Sequence, residues 1–285
     1  MPTLKDLIRG NDLVVAPVAL NPIMARLAEQ AGFKAIYLSG GSLGWVKCVT
    51  EANLTLPELA DVAVDMRAVC RLPIILDAGG GWGDPAHMHR TIALSEAAGF
   101  SAIELEDQLL PRHFEHHVGI ENLVTLDLVV QKIQEAVAAR TDPNLIIIGR
   151  TNARRLHGLD EALRRAEAYK RAGADMLYVS GRRADDLRAL GERLPPPLMY
   201  MAGAGGLAAG QISRAELAAL GFRLIVDPTT PFLAMHNALR YCYAALAGDK
   251  PDPLLGTDAG KEQAIVHQTI DLEAMLEIER QTVEK

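Results

Sequence analysis

SEAAGFSAIELED, at residues 95–107, has three counterparts elsewhere in the chain: AEQAGFKAIYLSG at 28–40, YKRAGADMLYVSG at 169–181 and LAALGFRLIVD at 217–227. In each one a helix-forming segment ends in glycine and a short, unbroken apolar run follows. The glycines are Gly32, Gly99, Gly173 and Gly221. Glycine adopts the left-handed conformation that often ends a helix, and such apolar runs are typical of parallel strands covered on both faces. The repeat therefore predicts four units in which a helix leads into a buried strand.

Four more apolar runs lie between these units. They are LVVAPVA at 13–19, PIILDA at 73–78, NLIIIGR at 144–150 and PLMYM at 197–201. Each of the eight predicted strands is followed by a segment of helical period, as at 126–139 and 160–172. Eight β-then-α units within about 250 residues are the count of a (β/α)8 TIM barrel. A doubly wound sheet is the alternative, but no GxGxxG follows the first strand.

The composition excludes several classes of protein. The chain has 36 acidic and 29 basic residues, a formal net charge of −7 and no basic block, so nucleic acid is not expected as a partner. Hydrophobic residues make up 49% of the 285, enough for a large core. No apolar run reaches the ~18 residues of a membrane span, and no secretory signal opens the sequence. With three cysteines and no CxxC spacing, we expect a cytoplasmic globular protein that is not associated with a membrane.

One break in composition suggests the domain organisation. The segment GDKPDPLLGTDAG at 248–260 is rich in Pro and Gly, and a final helix is predicted over 261–285. We therefore expect a barrel over 1–248 and a hinge with a C-terminal helix over 249–285. That helix could pack on its own barrel or on a neighbouring subunit, and the sequence leaves both arrangements open.

Asp77 ends the predicted third strand and is followed by Ala-Gly-Gly-Gly-Trp-Gly. In a TIM barrel the chemistry lies at the carboxyl ends of the strands, and consecutive glycines let a ligand approach the backbone closely. Asp77 is therefore a candidate site residue. The alternative is a flexible turn in which Asp77 caps the next helix.

Two glutamates lie on one face of the predicted fourth strand. Because side chains alternate along a strand, Glu104 and Glu106 point one way while Leu105 and Asp107 point the other. Two carboxylates that face a barrel interior need a divalent cation, an arginine or both. Oxygen ligands from Asp77, Glu106 and water would suit Mg2+, with Mn2+ as a second candidate. The alternative is a structural ion pair with an arginine of the neighbouring strand.

That arginine is Arg150, which ends the predicted fifth strand and is followed by Thr151 and Asn152. Its guanidinium keeps its charge and offers a planar fork for a carboxylate or phosphate. Beside it, the short polar side chains of Thr151 and Asn152 would complete a binding site for a small anion.

Two loops at the same end of the barrel are predicted to be long, at 40–56 and 108–125. The second contains Arg-His-Phe-Glu-His-His at 112–117 and is the better candidate for a lid. Over a site of carboxylates, His113 or His116 would be a plausible general acid or base. Solvated loop histidines with no catalytic role are the alternative. The first loop, 40–56, contains Cys48.

At these positions the sequence resembles the isocitrate lyase / phosphoenolpyruvate mutase superfamily, in particular methylisocitrate lyases and oxaloacetate decarboxylases. The resemblance covers about residues 15–246. YLSGG at 37–41, LDAGGGWGDP at 76–85, IELEDQLLP at 103–111 and IIGRTNA at 147–153 are similar to four motifs of the family.

The resemblance implies a (β/α)8 barrel with a swapped last helix, a homodimer or homotetramer, and Mg2+ that holds a pyruvate-like enolate. It also implies roles for individual residues. Ser39, Gly40 and Gly41 would bind substrate oxygens, Asp77 and Glu106 would hold the metal through water, and Arg150 would bind the substrate carboxylate. Tyr37 and Asn152, in the same motifs, would line the substrate site.

Near the metal, the sequence departs from the family pattern. The second Asp of the third-strand motif is Gly79 here, and Glu104 occupies a place where relatives often have His. Glu104, on the adjacent strand, is therefore the candidate to compensate for the missing carboxylate. The Asp of the loop after the second strand corresponds to Thr50 or to its neighbour Glu51.

Further departures concern the rest of the substrate. The catalytic Cys of the lyase lid has no counterpart in residues 112–116, the strand-six Glu is Ser180, and the strand-seven Asn-x-Thr-Glu is replaced by residues 200–203. The sequence therefore predicts that the part of the site that binds the pyruvate half of the substrate matches the family pattern. The part that recognises the rest of the substrate is predicted to differ from it.

The resulting hypothesis is a Mg2+-dependent lyase that cleaves a C–C bond in a small 2-hydroxy or 2-oxo dicarboxylate, by retro-aldol cleavage or decarboxylation. Two alternatives stay open. One is P–C chemistry, as in a phosphonopyruvate mutase or hydrolase, which would need a cationic phosphoryl site such as Arg112. The other is a barrel that has lost metal-dependent catalysis.

Overall fold

The fold of the residues up to Thr230 is built on eight parallel strands. The computed structural model describes residues 2–110, 122–181, 183–256 and 259–283. Its strands are β1 (Val14–Pro17), β2 (Ile36–Leu38), β3 (Ile74–Asp77), β4 (Ala102–Glu106), β5 (Ile146–Thr151), β6 (Met176–Val179), β7 (Leu198–Met201) and β8 (Phe222–Asp227). They pair in the order β1-β8-β7-β6-β5-β4-β3-β2, and a parallel bridge between Val18 and Tyr37 joins the two ends of that order. The predicted (β/α)8 barrel is confirmed, and a doubly wound sheet is excluded.

Twelve α-helices lie in the described ranges. They are α1 (Leu4–Arg9), α2 (Pro22–Gln30), α3 (Gly40–Val46), α4 (Leu56–Arg67), α5 (Met88–Ala97), α6 (Leu126–Ala139), α7 (Ala153–Arg171), α8 (Ala184–Arg193), α9 (Arg214–Ala219), α10 (Thr230–Ala247), α11 (Ala259–Thr269) and α12 (Leu272–Thr282). The bounds of α6 are those predicted. The prediction of a long loop over 40–56 is wrong in its first half, because α3 lies there with Ser39 as its N-cap.

The repeated glycines have the conformation that the sequence predicts. Gly32, Gly99, Gly173 and Gly221 have φ angles of 87°, 78°, 107° and 86°. Each one ends a helix and turns the chain toward the strand that follows. This confirms the helix-to-strand unit as the building block of the barrel.

Side chains inside the barrel form one buried cluster, in which the strands contribute Tyr37, Ile75, Ile148 and Leu224. Helix α1 adds Leu4 to the same cluster. A second buried cluster lies between strands and helices and includes Ile133, Leu163, Tyr169, Leu198 and Leu217. The barrel is therefore a packed core, so any ligand site must lie at the strand ends.

The chain divides into two compact units, one up to Thr230 and one from Pro231 onward. In the second unit the predicted final helix is two helices, because Asp271 at φ 59° separates α11 from α12. Large apolar side chains on these two helices are exposed, among them Ile265, Met275 and Ile278. How this segment packs, on its own or on a neighbouring barrel, stays a prediction. None of the helices in the described ranges combines the length and the apolar character that a bilayer crossing needs.

Candidate active site

Strand register places the predicted carboxylates and the arginine side by side. Asp77 at the end of β3 is paired with Glu104 of β4, and Glu106 of β4 is paired with Arg150 of β5. Residues 104 and 106 share one face of β4, as the alternation of side chains requires. The four charged groups therefore meet at the carboxyl ends of three adjacent strands.

Arg150 is the centre of this cluster. Its Nη1 lies 2.6 Å from Oε1 of Glu104 and its Nε lies 2.9 Å from Oε2 of Glu106. Asp77 is farther away, with 4.0 Å between its Oδ1 and Nη1 of Arg150. The guanidinium also lies over the ring of Tyr178, 5.3 Å from its centroid. The ion pair of Arg150 with β4, which the sequence analysis gave as the alternative to a metal site, is thus present, and it involves both glutamates.

The two glutamates are more deeply buried than Asp77 and Arg150. The side chains of Glu104 and Glu106 are 0% and 2% exposed, whereas those of Asp77 and Arg150 are 10% and 15% exposed. Burial raises the pKa of Glu104 to about 7 and that of Glu106 to about 8, against the opposing charge of Arg150. A ligand from solvent therefore meets the cluster at its Asp77 and Arg150 edge.

Asp77 is held by the backbone of two loops. Its Oδ2 accepts a hydrogen bond from the amide of Gly40 at 3.3 Å, and its Oδ1 accepts one from the amide of Gly79 at 3.3 Å. Asp77 does not cap the helix that follows β3; Asp84 caps the 3-10 turn at Pro85–His87. The alternative in which Asp77 caps the next helix is therefore wrong, and Asp77 as a site residue stays a prediction.

The predicted YLSGG residues, 37–41, run from the end of β2 into the first turn of α3. Ser39 is buried, and its Oγ accepts a hydrogen bond from the amide of Ser42. Gly41 follows Gly40 in the first turn. Tyr37 is fully buried inside the barrel, and its hydroxyl lies 3.4 Å from Oε2 of Glu104. Tyr37 therefore contacts Glu104, while Gly40, which Ser39 and Gly41 flank, contacts Asp77.

Asn152 links the cluster to a second polar network. Its Nδ2 donates to Oε2 of Glu106 at 2.9 Å, and its Oδ1 accepts from Nε of Arg150 at 3.3 Å. Its backbone amide donates to Asp107 at 2.9 Å, and Asp107 also accepts hydrogen bonds from Thr151 and Tyr169 and pairs with Arg165. Asp107 thus holds the end of β5 from the outer face of β4.

A cavity of about 320 Å3 opens beside Asp77. Its lining includes Gly40, Glu51, Gly79 and Lys132. Thr50 is instead exposed and hydrogen-bonded to Asn53. Of the two candidates for the loop carboxylate, the structure therefore brings Glu51 to the site.

The oxygen donors of this site are compatible with a divalent cation. The negative charges of Glu51 and Asp77 both raise the pKa of Glu106. Glu104 and Glu106 share one cation, Arg150. Asp77, Glu104 and Glu106, with Glu51 nearby, thus offer carboxylate oxygens, the kind of ligand that suits Mg2+. Within the described ranges, no three His, Cys, Asp or Glu side chains lie close enough to hold an ion together. The chain would therefore supply one or two carboxylates, and water and substrate the rest, as is common for Mg2+.

The other predicted residues divide into two groups. His113 and His116 of the predicted lid, with Arg112, lie outside the described residues. Ser180 at the end of β6 has a buried hydroxyl without a hydrogen-bond partner in the part of the chain that the structure describes. In β7, Met199 and Met201 face the barrel interior, whereas Tyr200 and Ala202 lie in the cluster between strands and helices.

Lys132 and Trp82, two residues of the cavity wall, were not predicted. Lys132 of α6 is buried, and its Nζ donates to the carbonyl of Gly80 at 3.0 Å. The sequence contained a pattern that could have identified Lys132, because this residue occupies a core-facing position between Val129 and Ala136 of an amphipathic helix. Trp82 carried no such signal, since its left-handed backbone (φ 56°) is not visible in a sequence.

Known proteins resemble this chain over most of its length. A family model described as phosphoenolpyruvate phosphomutase matches residues 4–247. The 2-methylisocitrate lyase of Aeropyrum pernix is 35% identical over 237 residues, 82% of this chain and 76% of the relative. The 2,3-dimethylmalate lyase of Eubacterium barkeri is 32% identical over 249 residues, 86% of each chain. Among solved structures, a phosphonopyruvate hydrolase in complex with oxalate and Mg2+ superposes with a TM-score of 0.84 at 29% identity, covering 98% of each chain.

Proposed function

The chain belongs to the phosphoenolpyruvate phosphomutase family, and on that premise we propose that it is a carbon–carbon lyase acting on a small 2-hydroxy or 2-oxo dicarboxylate. Cleavage would leave a pyruvate-like enolate on the enzyme. The buried cluster of Asp77, Glu104, Glu106 and Arg150 supports this proposal most directly, because it combines one fixed cation with carboxylates at the open end of the barrel.

In this proposal Arg150 binds the carboxylate of the substrate half that becomes the enolate. Its guanidinium is held on one side by Glu104 and Glu106 and is 15% exposed, so its open edge can meet an anion. Ser39, Gly40 and Gly41, of which Gly40 contacts Asp77, would bind the remaining substrate oxygens. Fixed charges in a site with little water stabilise a developing oxyanion more than water does.

Asp77 and Glu106, with Glu51 nearby, are the residues that would hold Mg2+ or Mn2+. The bound ion would supply a positive charge for the enolate oxygen. Asn152 and Arg150 orient Glu106 through hydrogen bonds of 2.9 Å each. Glu104 is oriented by Arg150 and Tyr37, and it would take the place of the carboxylate that Gly79 lacks.

The proton transfer of the cleavage step needs a further group. His113 or His116 would serve as general acid or base in place of the lid cysteine of related lyases. Glu104 is the alternative within the described residues, because its raised pKa of about 7 suits proton transfer near neutral pH.

P–C bond chemistry is the second candidate function. The structural similarity to a phosphonopyruvate hydrolase favours it, and Lys132 adds a cation to the cavity wall. A phosphonate substrate would place three anionic oxygens near Glu51 and Asp77, however, which disfavours it relative to a carboxylate.

The apolar residues exposed on α11 and α12 support assembly into a homodimer or homotetramer. Sedimentation of the full chain would test this, and a monomer at micromolar concentration would contradict it. A cytoplasmic location also stays a prediction.

Calorimetric titration with oxalate, a planar mimic of an enolpyruvate, tests the proposed function. Oxalate should bind in the presence of Mg2+ and not after EDTA. Glu106→Gln should abolish this Mg2+-dependent binding. Glu135→Gln, which changes an exposed glutamate on α6 that pairs with His89, is the matched control and should leave the binding unchanged. Failure to bind oxalate under either condition would favour a barrel that has lost metal-dependent catalysis.

A further inference from the structure

A second cavity, of about 350 Å3, lies at the opposite end of the barrel from the carboxylate cluster. Part of its lining lies at or just before the amino ends of β5 to β8, at Ile146, Asp175, Pro197 and Arg223. Helix α1 contributes another part of the wall. Because the barrel interior between the two ends is a packed core, this cavity is separate from the candidate active site.

Helix α1 presents one side to this cavity. Lys5, Ile8 and Arg9 line it, at the spacing of residues that share a helix face. Leu4 and Ile8 are buried in the cluster inside the barrel, which fixes the helix in place. Nζ of Lys5 donates a hydrogen bond of 2.7 Å to the carbonyl of Pro143, in the segment before β5. The two basic residues of α1 are therefore held at the cavity.

Arg223 reaches the same cavity through an irregularity in β8. Two consecutive residues of β7 are paired with Phe222 and Leu224, so Arg223 between them is an extra residue without a partner on β7. Phe222 packs between strands and helices, and Leu224 packs inside the barrel. A bulge of this kind redirects the side chain of the extra residue. Here that side chain is a guanidinium that lines the cavity.

Positive charge at this cavity is only partly balanced. Asp175, the one acidic residue among the described residues of the lining, pairs with Arg140 at 2.5 Å. Arg9 pairs with an aspartate of its own helix. Neither Lys5 nor Arg223 has a carboxylate within salt-bridge distance in the part of the chain that the structure describes. Two cations from distant parts of the sequence therefore meet at one cavity without an acidic partner.

Backbone contacts fix these two cations and leave donors over. Nη1 of Arg223 donates to the carbonyls of Ala218 and Phe222 at 2.8 and 2.7 Å. Its Nη2 lies 3.5 Å from Oδ1 of Asn11. Within the described ranges, Nε of Arg223 has no acceptor, and Lys5 uses one of its three N–H groups. A fixed ammonium and a fixed guanidinium with donors to spare are preorganised for an anion.

We propose that this cavity binds the phosphate group of a small molecule, with Lys5 and Arg223 donating hydrogen bonds to its oxygens. A phosphate has several acceptor oxygens and carries up to two negative charges, which two cations on separate elements match better than one carboxylate would. Ile8, Pro196 and Pro197 would contact the organic part of a phosphomonoester. The inference goes beyond the proposed function and does not depend on it.

Calorimetric titration of the full chain with inorganic phosphate, phenyl phosphate and benzoate tests the proposal. Both phosphates should bind in EDTA and equally well with Mg2+ and saturating oxalate. Benzoate should bind at least about tenfold more weakly than phenyl phosphate, because it offers one charge and two oxygens. Tighter binding of phenyl phosphate than of inorganic phosphate would identify the ligand as a phosphomonoester, and equal binding would identify it as the free anion.

Arg223→Gln and Lys5→Gln should each weaken the binding of phenyl phosphate at least about tenfold. Arg188→Gln is the control, since it changes an exposed arginine of α8 that pairs with Asp185 and Glu216. Saturating phenyl phosphate should also raise the thermal midpoint of the wild-type and control proteins and not of the two variants. A purely structural role of these cations would lower stability without producing this difference between the proteins.

Several results would overturn the proposal. They are unchanged affinity in both variants, equal binding of benzoate and phenyl phosphate, and loss of phosphate binding when oxalate and Mg2+ are added, which would place the phosphate at Arg150. Should Arg223→Gln fail to fold, Lys5→Gln decides, because Lys5 is only half-buried on a surface helix. Failure of oxalate to bind would contradict the proposed function alone, since the titration in EDTA does not use the active site.

Discussion

The two faces of β4 carry buried carboxylates in contrasting surroundings. On the inner face, Glu104 and Glu106 share Arg150, and burial raises the pKa of both. On the outer face, the fully buried Asp107 accepts hydrogen bonds from Thr151, Asn152 and Tyr169 and pairs with Arg165. The outer carboxylate is enclosed by its partners in the wall of the barrel, whereas the inner pair lies beside the partly exposed side chains of Asp77 and Arg150. A buried carboxylate therefore indicates a ligand site only where its charged neighbours are open to solvent.

Replacing an inner carboxylate should have the largest effect on function. Glu106→Gln removes the charge and turns an amide toward Nε of Arg150, so turnover should fall at least about 1000-fold, which corresponds to about 4 kcal/mol of barrier. The thermal midpoint should stay near wild type, since no charge is left unbalanced in the core. Steady-state kinetics and thermal denaturation measure the two quantities, with Glu135→Gln as control. Full turnover in Glu106→Gln would refute the metal–enolate mechanism.

Replacing the outer carboxylate should have the opposite result, a large loss of stability and a small loss of turnover. Asp107→Asn leaves Arg165 with Glu161 as its remaining carboxylate, and its amide nitrogen replaces one of the two oxygens that accept hydrogen bonds from Thr151, Tyr169 and Asn152. We expect the free energy of unfolding to fall by about 3 kcal/mol, measured by urea denaturation. Turnover should fall only about tenfold, through the displacement of Asn152. A larger loss of turnover than in Glu106→Gln, with unchanged stability, would make Asp107 part of the inner site.

The sequence predicted the inner face well because the signals are local. Alternation along five residues separated Glu104 and Glu106 from Asp107, and the order of the strands brought Arg150 beside them. The same locality explains the four glycine-ended helices. In each case neighbours in sequence decide the geometry.

What the sequence left undecided depends on contacts between distant segments. Helix α3 contains three glycines, which are weak helix formers, so 40–56 was predicted as a loop although Ser39 caps a helix there. The choice between Thr50 and Glu51 needed the position of the loop against Asp77. The conformation of Trp82 and its bond to Leu54 come from two loops whose packing no local pattern encodes.

Gly79 offers a way to strengthen the inner face. Gly79→Asp would add a carboxylate whose Cβ lies 4.0 Å from Oε1 of Glu106, at a φ of 50° that Asp tolerates better than most residues. The affinity for Mg2+, measured by calorimetry, should rise about tenfold, a change of about 1.4 kcal/mol. Gly79→Ala presents the same Cβ to Leu110 without the charge and should not raise it. Equal effects of Asp and Ala would mean that the metal does not approach this position.

The smallest effect is expected away from both faces of β4. Cys48 is an exposed thiol at φ 57° just beyond α3, outside the carboxylate cluster. Cys48→Ser should leave turnover within about twofold of wild type, because no step of the proposed mechanism uses a thiolate. A loss above ~100-fold, about 2.7 kcal/mol of barrier, would place a nucleophile in the first loop. The inner carboxylates would then bind the substrate while Cys48 performed the chemistry, and the contrast between the two faces of β4 would no longer locate the reacting groups.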